Sequence, residues 1–367
     1  MPRHLCVNIA AILLVASTSA AQADVARPRT GVSVTEPVAL PDGKPPFSSL
    51  ASEEARQNML NLIEAGKKIT GMKPANITEI RRNDDDLTQR PSVIRLRARF
   101  PVLISPEKIA GVPVDAITPA EGVSARNAKR VLISLHGGGF YAGAGLGGQA
   151  QSIPIASLGK IKVISVDYRQ GPEYRFPAAS EDVASVYREL LNQYRPQDIG
   201  IYGCSAGGWL TAESIAWFQV HDLPRPGAIG IFGAGALIFD GVTGDSAYLD
   251  WALSGAPKDG LPRALKFDYF DVPGLDMRSA LVSPAYSEEV LARFPPTLLI
   301  GGMRDSLLSG TVYTHSKLVK LGVDADLHVW EGAFHCSFAQ GVVEPNVPET
   351  REAWDVIVKF FNTRLGG

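Results

Sequence analysis

Short apolar runs alternate with amphipathic helical stretches along this chain, and no other feature constrains its fold as tightly. Strand-like runs occupy residues 93–104, 112–118, 131–136, 162–166, 199–202, 228–232, 297–300 and 326–330. Several are continuous Val- and Ile-rich segments, as expected of central strands covered on both faces. Helical patterns at 178–194, 207–220, 310–321 and 350–364 lie between or after the later runs. Such alternation predicts an α/β fold on a mostly parallel, doubly wound, eight-stranded sheet. Residues 240–285 break the rhythm with scattered aromatics and prolines, which marks an insertion. A chain of 367 residues suits one α/β domain carrying such an insertion.

The N-terminus stands apart from this pattern. Arg3 precedes an apolar stretch at 5–16, followed by small and polar residues ending Ala21-Gln22-Ala23. That order is the pattern of a secretory signal cleaved after Ala23, so a periplasmic or secreted protein is expected. The apolar stretch falls short of the ~20 residues a membrane-spanning helix needs, so no stable membrane insertion is expected after cleavage. Cys6 lies at the start of the apolar run, too early and at the wrong end of it to be a lipidated cysteine at the cleavage site. Residues 24–47 contain Pro28, Pro37, Pro41, Pro45 and Pro46 and read as an extended leader. A catalytic domain is expected over 48–367. It opens with an amphipathic helix at 52–68, capped by Ser52, with Ala55, Met59, Leu62 and Ile63 on one face.

Charge excludes one class of partner. Lys and Arg total 36 against 38 Asp and Glu, for a formal net charge of -2. No basic field is present to attract nucleic acid. The acidic run Asp84-Asp85-Asp86, beside Arg81 and Arg82, reads as a solvated turn.

The strongest local signal is Gly203-Cys204-Ser205-Ala206-Gly207, set between an apolar strand and a helix. A G-x-S-x-G in that context is a nucleophile elbow, in which small neighbours let the serine sit on a strained turn. The second signal is His136-Gly137-Gly138-Gly139-Phe140, at the carboxyl end of a buried strand. Its free N–H groups suit a tetrahedral oxyanion, with Gly138, Gly139 and Ala206 as the expected donors. A phosphate-cradling loop would need a different glycine spacing or a Lys-Ser/Thr pair. Of the histidines, His335 alone is expected in a loop just past a late strand, spanning 331–337. The order Ser, acid, His then places the acid between 205 and 335. Asp305 closes the run 296–304 and fits, with helix capping as its rival role. Glu173 reads as a carboxylate that braces the site.

With these pieces in place, the chain resembles bacterial esterases of the hormone-sensitive-lipase-like family within the α/β-hydrolases. The matching segments are HGGGF at 136–140, DYRQGPEYRFPAASED at 167–182, GCSAGG at 203–208, RDSLLSG at 304–310 and GAFHCSF at 332–338. They follow the family's order and span residues 90–365. The resemblance implies a serine hydrolase acting on carboxylic esters, commonly of short acyl chain. It also implies a helical cap, here at 48–72 and 235–285. Two departures stand out. Cys204 occupies a position where the family usually has Asp, and the acid motif lacks its second carboxylate after Asp305.

The expected chemistry is acyl transfer: Ser205 attacks, His335 moves the proton, and Asp305 orients the imidazole. No cofactor or metal is expected, and the expected partner is a small-molecule ester. The sequence carries no signal for oligomeric state. Rivals are a lactone or aromatic-ester hydrolase, a peptidase or amidase, and a non-catalytic binding protein on the same fold. After signal cleavage two cysteines remain, Cys204 beside the nucleophile and Cys336 beside the base. Serine and histidine tips must meet within about 3 Å for proton transfer. Their chain neighbours are thereby held near disulfide distance, so a Cys204–Cys336 bridge is expected. The alternative is two buried thiols. The pattern is similar to the Cys-Ser…Asp…His-Cys arrangement of tannases and feruloyl esterases, which the rest of the chain does not resemble.

Overall fold

The apolar runs form the strands. β1 (Val102–Ile109) and β2 (Val112–Pro119) make an antiparallel hairpin. They are followed by β3 (Val131–Leu135), β4 (Lys162–Val166), β5 (Ile199–Cys204), β6 (Ala228–Phe232), β7 (Thr297–Arg304) and β8 (Ala325–Phe334). In the computed structural model, which describes residues 47–72, 76–238, 244–246 and 268–366, these make one eight-stranded sheet. Its order is β1-β2-β4-β3-β5-β6-β7-β8. β2 is antiparallel to β4, and every pairing from β4 through β8 is parallel. The expected doubly wound sheet is therefore present.

Successive side chains of a strand point to opposite faces, and the core divides accordingly. Val131, Ile133 and Leu135 of β3 join Ile199 and Ile201 of β5 on one face. Leu132, Tyr202 and Cys204 enter the core on the other. The first face is covered by α5 (Ala178–Leu190), α6 (Ala206–Val220) and α8 (Leu308–Lys320), through Val183, Tyr187, Leu210 and Leu318. The second is covered by α3 (Arg90–Arg99), α4 (Leu146–Gly159) and α9 (Pro348–Arg364), through Leu96, Ile153, Trp354 and Ile357. α6 is buried on nearly all sides, and it includes Glu213, whose carboxyl oxygens have no hydrogen-bond partner among the described residues. Burial pushes the Glu213 carboxyl well above the usual range, so it is neutral.

The N-terminal helices are α1 (Glu53–Gly71), α2 (Ile77–Asp84) and the π turn Asp85–Gln89 leading into α3. Ser52 caps α1 as expected: its Oγ accepts from the Ala55 N–H at 3.0 Å. It also donates to Glu349 of α9 at 2.7 Å. Residues 1–46, which include the signal and nearly all of the leader, lie outside the described residues. So do 239–243 and 247–267, the middle of the expected 235–285 cap segment. Its described end carries 3-10 turns at Asp268–Phe270 and Pro284–Tyr286, and the short α7 (Glu288–Leu291) precedes β7.

Several expectations need correction. The strand expected at 93–104 is mostly helix: α3 runs to Arg99 and β1 starts only at Val102. Val93, Leu96 and Phe100 are buried at helical spacing, whereas Ile94 is 64% exposed. The expected acidic turn at 84–86 is helical, joining α2 to the π turn. Burial and the neighbouring Asp84 carboxylate push Asp85 up to about 6. The loop expected at 331–337 is shorter, because β8 continues to Phe334. α4 was not foreseen: it contains Pro154 and several glycines and is buried almost all round, so it shows no amphipathic stripe.

Trp354 links this scaffold to the chain beyond β8. Its ring meets Phe100 edge-on at 5.2 Å, and its Nε1–H donates to the Phe338 carbonyl at 2.7 Å. Trp354→Ala should therefore lower the unfolding free energy by about 3–5 kcal/mol in urea titration. A change below 1 kcal/mol, on the order of an exposed substitution, would contradict this packing.

Candidate active site

β5 passes into α6 through Ser205, which has φ 59° and ψ -123°. An L residue rarely adopts that conformation, and it persists only where the surroundings over-determine it. A Cβ on Gly203 would lie 2.4 Å from the Gly207 backbone. One on Gly207 would lie 1.8 Å from the Leu135 carbonyl oxygen. Strand and helix can therefore meet this closely only with hydrogen at both positions. The turn is held by the Ser205 N–H donating to Phe232 O at 2.8 Å and by Trp209 N–H donating to Ser205 O at 3.0 Å.

His335 follows the last residue of β8, and Asp305 follows the last residue of β7. Nε2 of His335 lies 2.8 Å from Ser205 Oγ. Its Nδ1 lies 3.0 Å from each carboxyl oxygen of Asp305. Asp305 is buried, and its Oδ1 also accepts from the Leu307 N–H at 2.8 Å. That bond closes a turn ahead of α8, whose N-cap is Leu307 with no side-chain capping bond, so Asp305 meets the histidine without taking the helix-capping role considered for it. A carboxylate at Nδ1 makes that nitrogen the donor and leaves Nε2 to accept from the serine hydroxyl.

The other histidines among the described residues are engaged elsewhere. His136 is fully buried, stacked on Tyr168 at 4.2 Å, with Nδ1 2.7 Å from Gly137 O. Burial lowers its pKa to about 4, so it is neutral. His221 ends α6 with Nδ1 2.8 Å from Trp217 O, and His328 stacks on Trp330. His315 Nε2 lies 3.3 Å from Ala325 O.

The glycine loop turns through Gly138 (φ 106°), Gly139 (φ 62°) and Phe140 (φ 60°). Only glycine fits at 138, where a Cβ would sit 2.2 Å from Ala142 O. Tyr168 Oη donates to His136 O at 2.6 Å, and Gly171 N–H donates to Phe140 O at 2.7 Å. The Phe140 ring stacks on Tyr269 at 4.8 Å, so the described end of the insertion braces this loop. Glu173 braces it from outside. It pairs with Arg81 of α2 at 2.7 Å, and the same guanidinium donates to the Tyr141 carbonyl at 2.6 Å.

Cys204 and Cys336 form a disulfide, with Cα atoms 6.2 Å apart. Gly233, at the end of β6, packs beneath it with φ 51°. A Cβ there would lie 2.6 Å from Cys336 Sγ and 3.3 Å from both Asp305 Oδ2 and His335 Cε1. Sequence reasoning missed Gly233. Its only signal was a glycine directly after an apolar strand. A cavity of about 380 Å³ opens beside His335 and Gly138. Leu62 of α1, Ile80 and Asp84 of α2, Tyr141 and Phe334 line it, so the N-terminal helices roof the site. The α2 residues were missed as site residues because their segment reads as a turn. Among the described residues no group of three or more His, Cys, Asp or Glu could hold a metal ion.

Comparison with known proteins agrees with this geometry. A family model described as alpha/beta hydrolase fold matches residues 132–339, more than half of the chain. An acetyl-hydrolase of Streptomyces hygroscopicus is 28% identical over 269 residues, covering 69% of this chain and 84% of the relative. The crystal structure of an esterase, E25, is 32% identical with a TM-score of 0.71, covering 90% of this chain and 98% of that one. A crystal structure of an esterase from the bacterial hormone-sensitive lipase family shares the fold at 24% identity and TM-score 0.69, covering 86% and 99%. The matched span begins within β3, which leads into the glycine loop, and ends just past His335, and the chain belongs to the alpha/beta hydrolase fold family.

Proposed function

We propose that this chain is a serine esterase of the hormone-sensitive-lipase-like kind that hydrolyses carboxylic esters through Ser205, His335 and Asp305. The observation that carries the proposal is the continuous line from Ser205 Oγ to His335 Nε2 at 2.8 Å and from Nδ1 to Asp305 at 3.0 Å. Ser205 Oγ attacks the ester carbonyl carbon while His335 takes its proton. The C–O bond to the alcohol then breaks, and His335 returns the proton to the departing alkoxide. Water repeats the sequence on the acyl-enzyme, releasing the acid and restoring Ser205. Asp305 holds the imidazole tautomer and stabilises the imidazolium. The N–H groups of Gly138, Gly139 and Ala206 receive the oxyanion, and Ala206 adds the positive end of α6.

Substrate size follows from the cavity. Its volume of about 380 Å³ is near the small end of ligand pockets, which supports short-chain esters. The names of the acetyl-hydrolase and esterase relatives point the same way. One observation favours a second substrate class: the disulfide joins the neighbours of the nucleophile and the base, as in hydrolases of aromatic esters. A panel of p-nitrophenyl acetate, p-nitrophenyl butyrate and methyl ferulate separates the two, and faster turnover of the ferulate would favour the second. The Ala21-Gln22-Ala23 segment and the disulfide together support export to the periplasm or beyond.

Ser205→Ala should abolish p-nitrophenyl ester hydrolysis. Asp305→Asn should lower kcat by up to ~10⁴. Near-normal turnover in the asparagine variant would overturn the role given to Asp305. The bridge closes a loop of 132 residues, which in the chain-entropy model adds about 4–5 kcal/mol against unfolding. Reduction by dithiothreitol should therefore lower both Tm and kcat in the wild type. Both should be insensitive to dithiothreitol in Cys204→Ala/Cys336→Ala. Equal loss of activity in that variant would place the reductant's effect elsewhere.

A further inference from the structure

β3 and β5 separate just before the chemistry begins. The last residues paired between them are Leu135 and Gly203. Beyond that point β3 becomes the glycine loop and β5 becomes the Ser205 turn. The side chain of Gln151, from α4, spans the two strands where they diverge. It is 2% exposed. Its Nε2 donates to the Leu135 carbonyl at 3.1 Å and to Ser134 Oγ at 2.8 Å. Its Oε1 accepts from the Cys204 N–H at 3.2 Å. One amide thus donates to the strand that precedes the oxyanion loop and accepts from the residue that precedes the nucleophile.

We infer that Gln151 is a positioning residue for ester hydrolysis, setting the separation between the glycine loop and the nucleophile turn. The inference rests on the esterase function proposed above. Oxyanion donors act only if they are already in place when charge develops. A misplacement of about 1 Å can cost ~10²-fold in rate. Strand ends that part company lack the next rung of the ladder to hold them, and the Gln151 amide supplies a clasp at that end. α4 is itself fixed. Gln149 Nε2 donates to Asp115 at 2.8 Å, and a Cβ on Gly148 would lie 2.2 Å from Ser165 Oγ. Cys204 is therefore held twice, through its backbone by Gln151 and through its sulfur by Cys336. A residue that only filled the core could be replaced by any side chain of similar volume.

Two variants of the full chain test this, with kcat expressed per active site titrated by an organophosphate. Gln151→Met keeps the length and removes all three hydrogen bonds. Its kcat on p-nitrophenyl butyrate should fall about 10- to 100-fold, with KM changed by less than about twofold. Gln151→Glu places an oxygen where the amide offered an N–H to Leu135. Burial raises such a carboxyl, and its protonated form restores the donor. The ratio of its kcat to that of wild type should therefore rise as pH falls. A purely structural glutamine would lower Tm while leaving kcat per titrated site unchanged. Wild-type kcat per site in Gln151→Met, or a pH-independent ratio well below one in Gln151→Glu, would overturn the inference. Failure of Gln151→Glu to fold at any pH would also count against it, because its protonated side chain can still donate to the Leu135 carbonyl and accept from the Cys204 N–H. An inactive, untitratable wild type would instead strike the esterase function.

Discussion

The turn at Ser205 is the constraint around which the rest of the molecule is arranged. Strand β5, helix α6 and the end of β3 meet where the Leu135 carbonyl oxygen would be 1.8 Å from a Cβ on Gly207. That crowding forces glycine on either side of the serine and leaves Ser205 at φ 59°. Such strain costs on the order of 1–3 kcal/mol and must be offset by surrounding structure. Here the offset comes from the fully buried parallel strands at the centre of the sheet, which have helices on both faces. The nucleophile thereby sits at the carboxyl end of the sheet, where the loops after β3, β7 and β8 converge on it.

The parts around that turn are held together by contacts from distant segments. The disulfide ties the β5 end to the turn after β8. Trp354 of α9 holds Phe338, two residues beyond Cys336. Arg81 of α2 joins the Tyr141 carbonyl to Glu173, so the roof over the cavity is fastened to the glycine loop it covers. Tyr269, at the described end of the insertion, stacks on Phe140. Each of these contacts fixes a backbone segment from which a reacting or hydrogen-bonding group projects. That is what electrostatic preorganisation asks of a scaffold.

Much of this was legible in the sequence, for definable reasons. β4 and β6 have the bounds their apolar runs predict, because central strands buried on both faces show no competing pattern. Ser205, Asp305 and His335 were singled out because each comes just past a strand, and the structure brings all three within hydrogen-bond reach. The failures are equally physical. Between 93 and 104, apolar and basic residues alternate as in a strand, yet burial follows helical spacing, and both Ile94 and Leu103 face solvent. Pro154 and the glycines of α4 conceal a helix that tertiary packing stabilises on all sides. Gln151 carries no local signature, and Gly233 only its place directly after an apolar strand. Their importance lies in what the fold places beside them, Cys204 and Leu135 for one, Cys336 and Asp305 for the other.

The central claim is that Ser205 is a nucleophile activated by His335. Treatment of the folded protein with a fluorophosphonate, followed by intact-mass and peptide mapping, tests it most directly. One adduct per chain on Ser205, formed far more slowly in His335→Ala, is the result the geometry predicts. No adduct in folded wild type, an adduct on another residue, or equal labelling without His335 would contradict it.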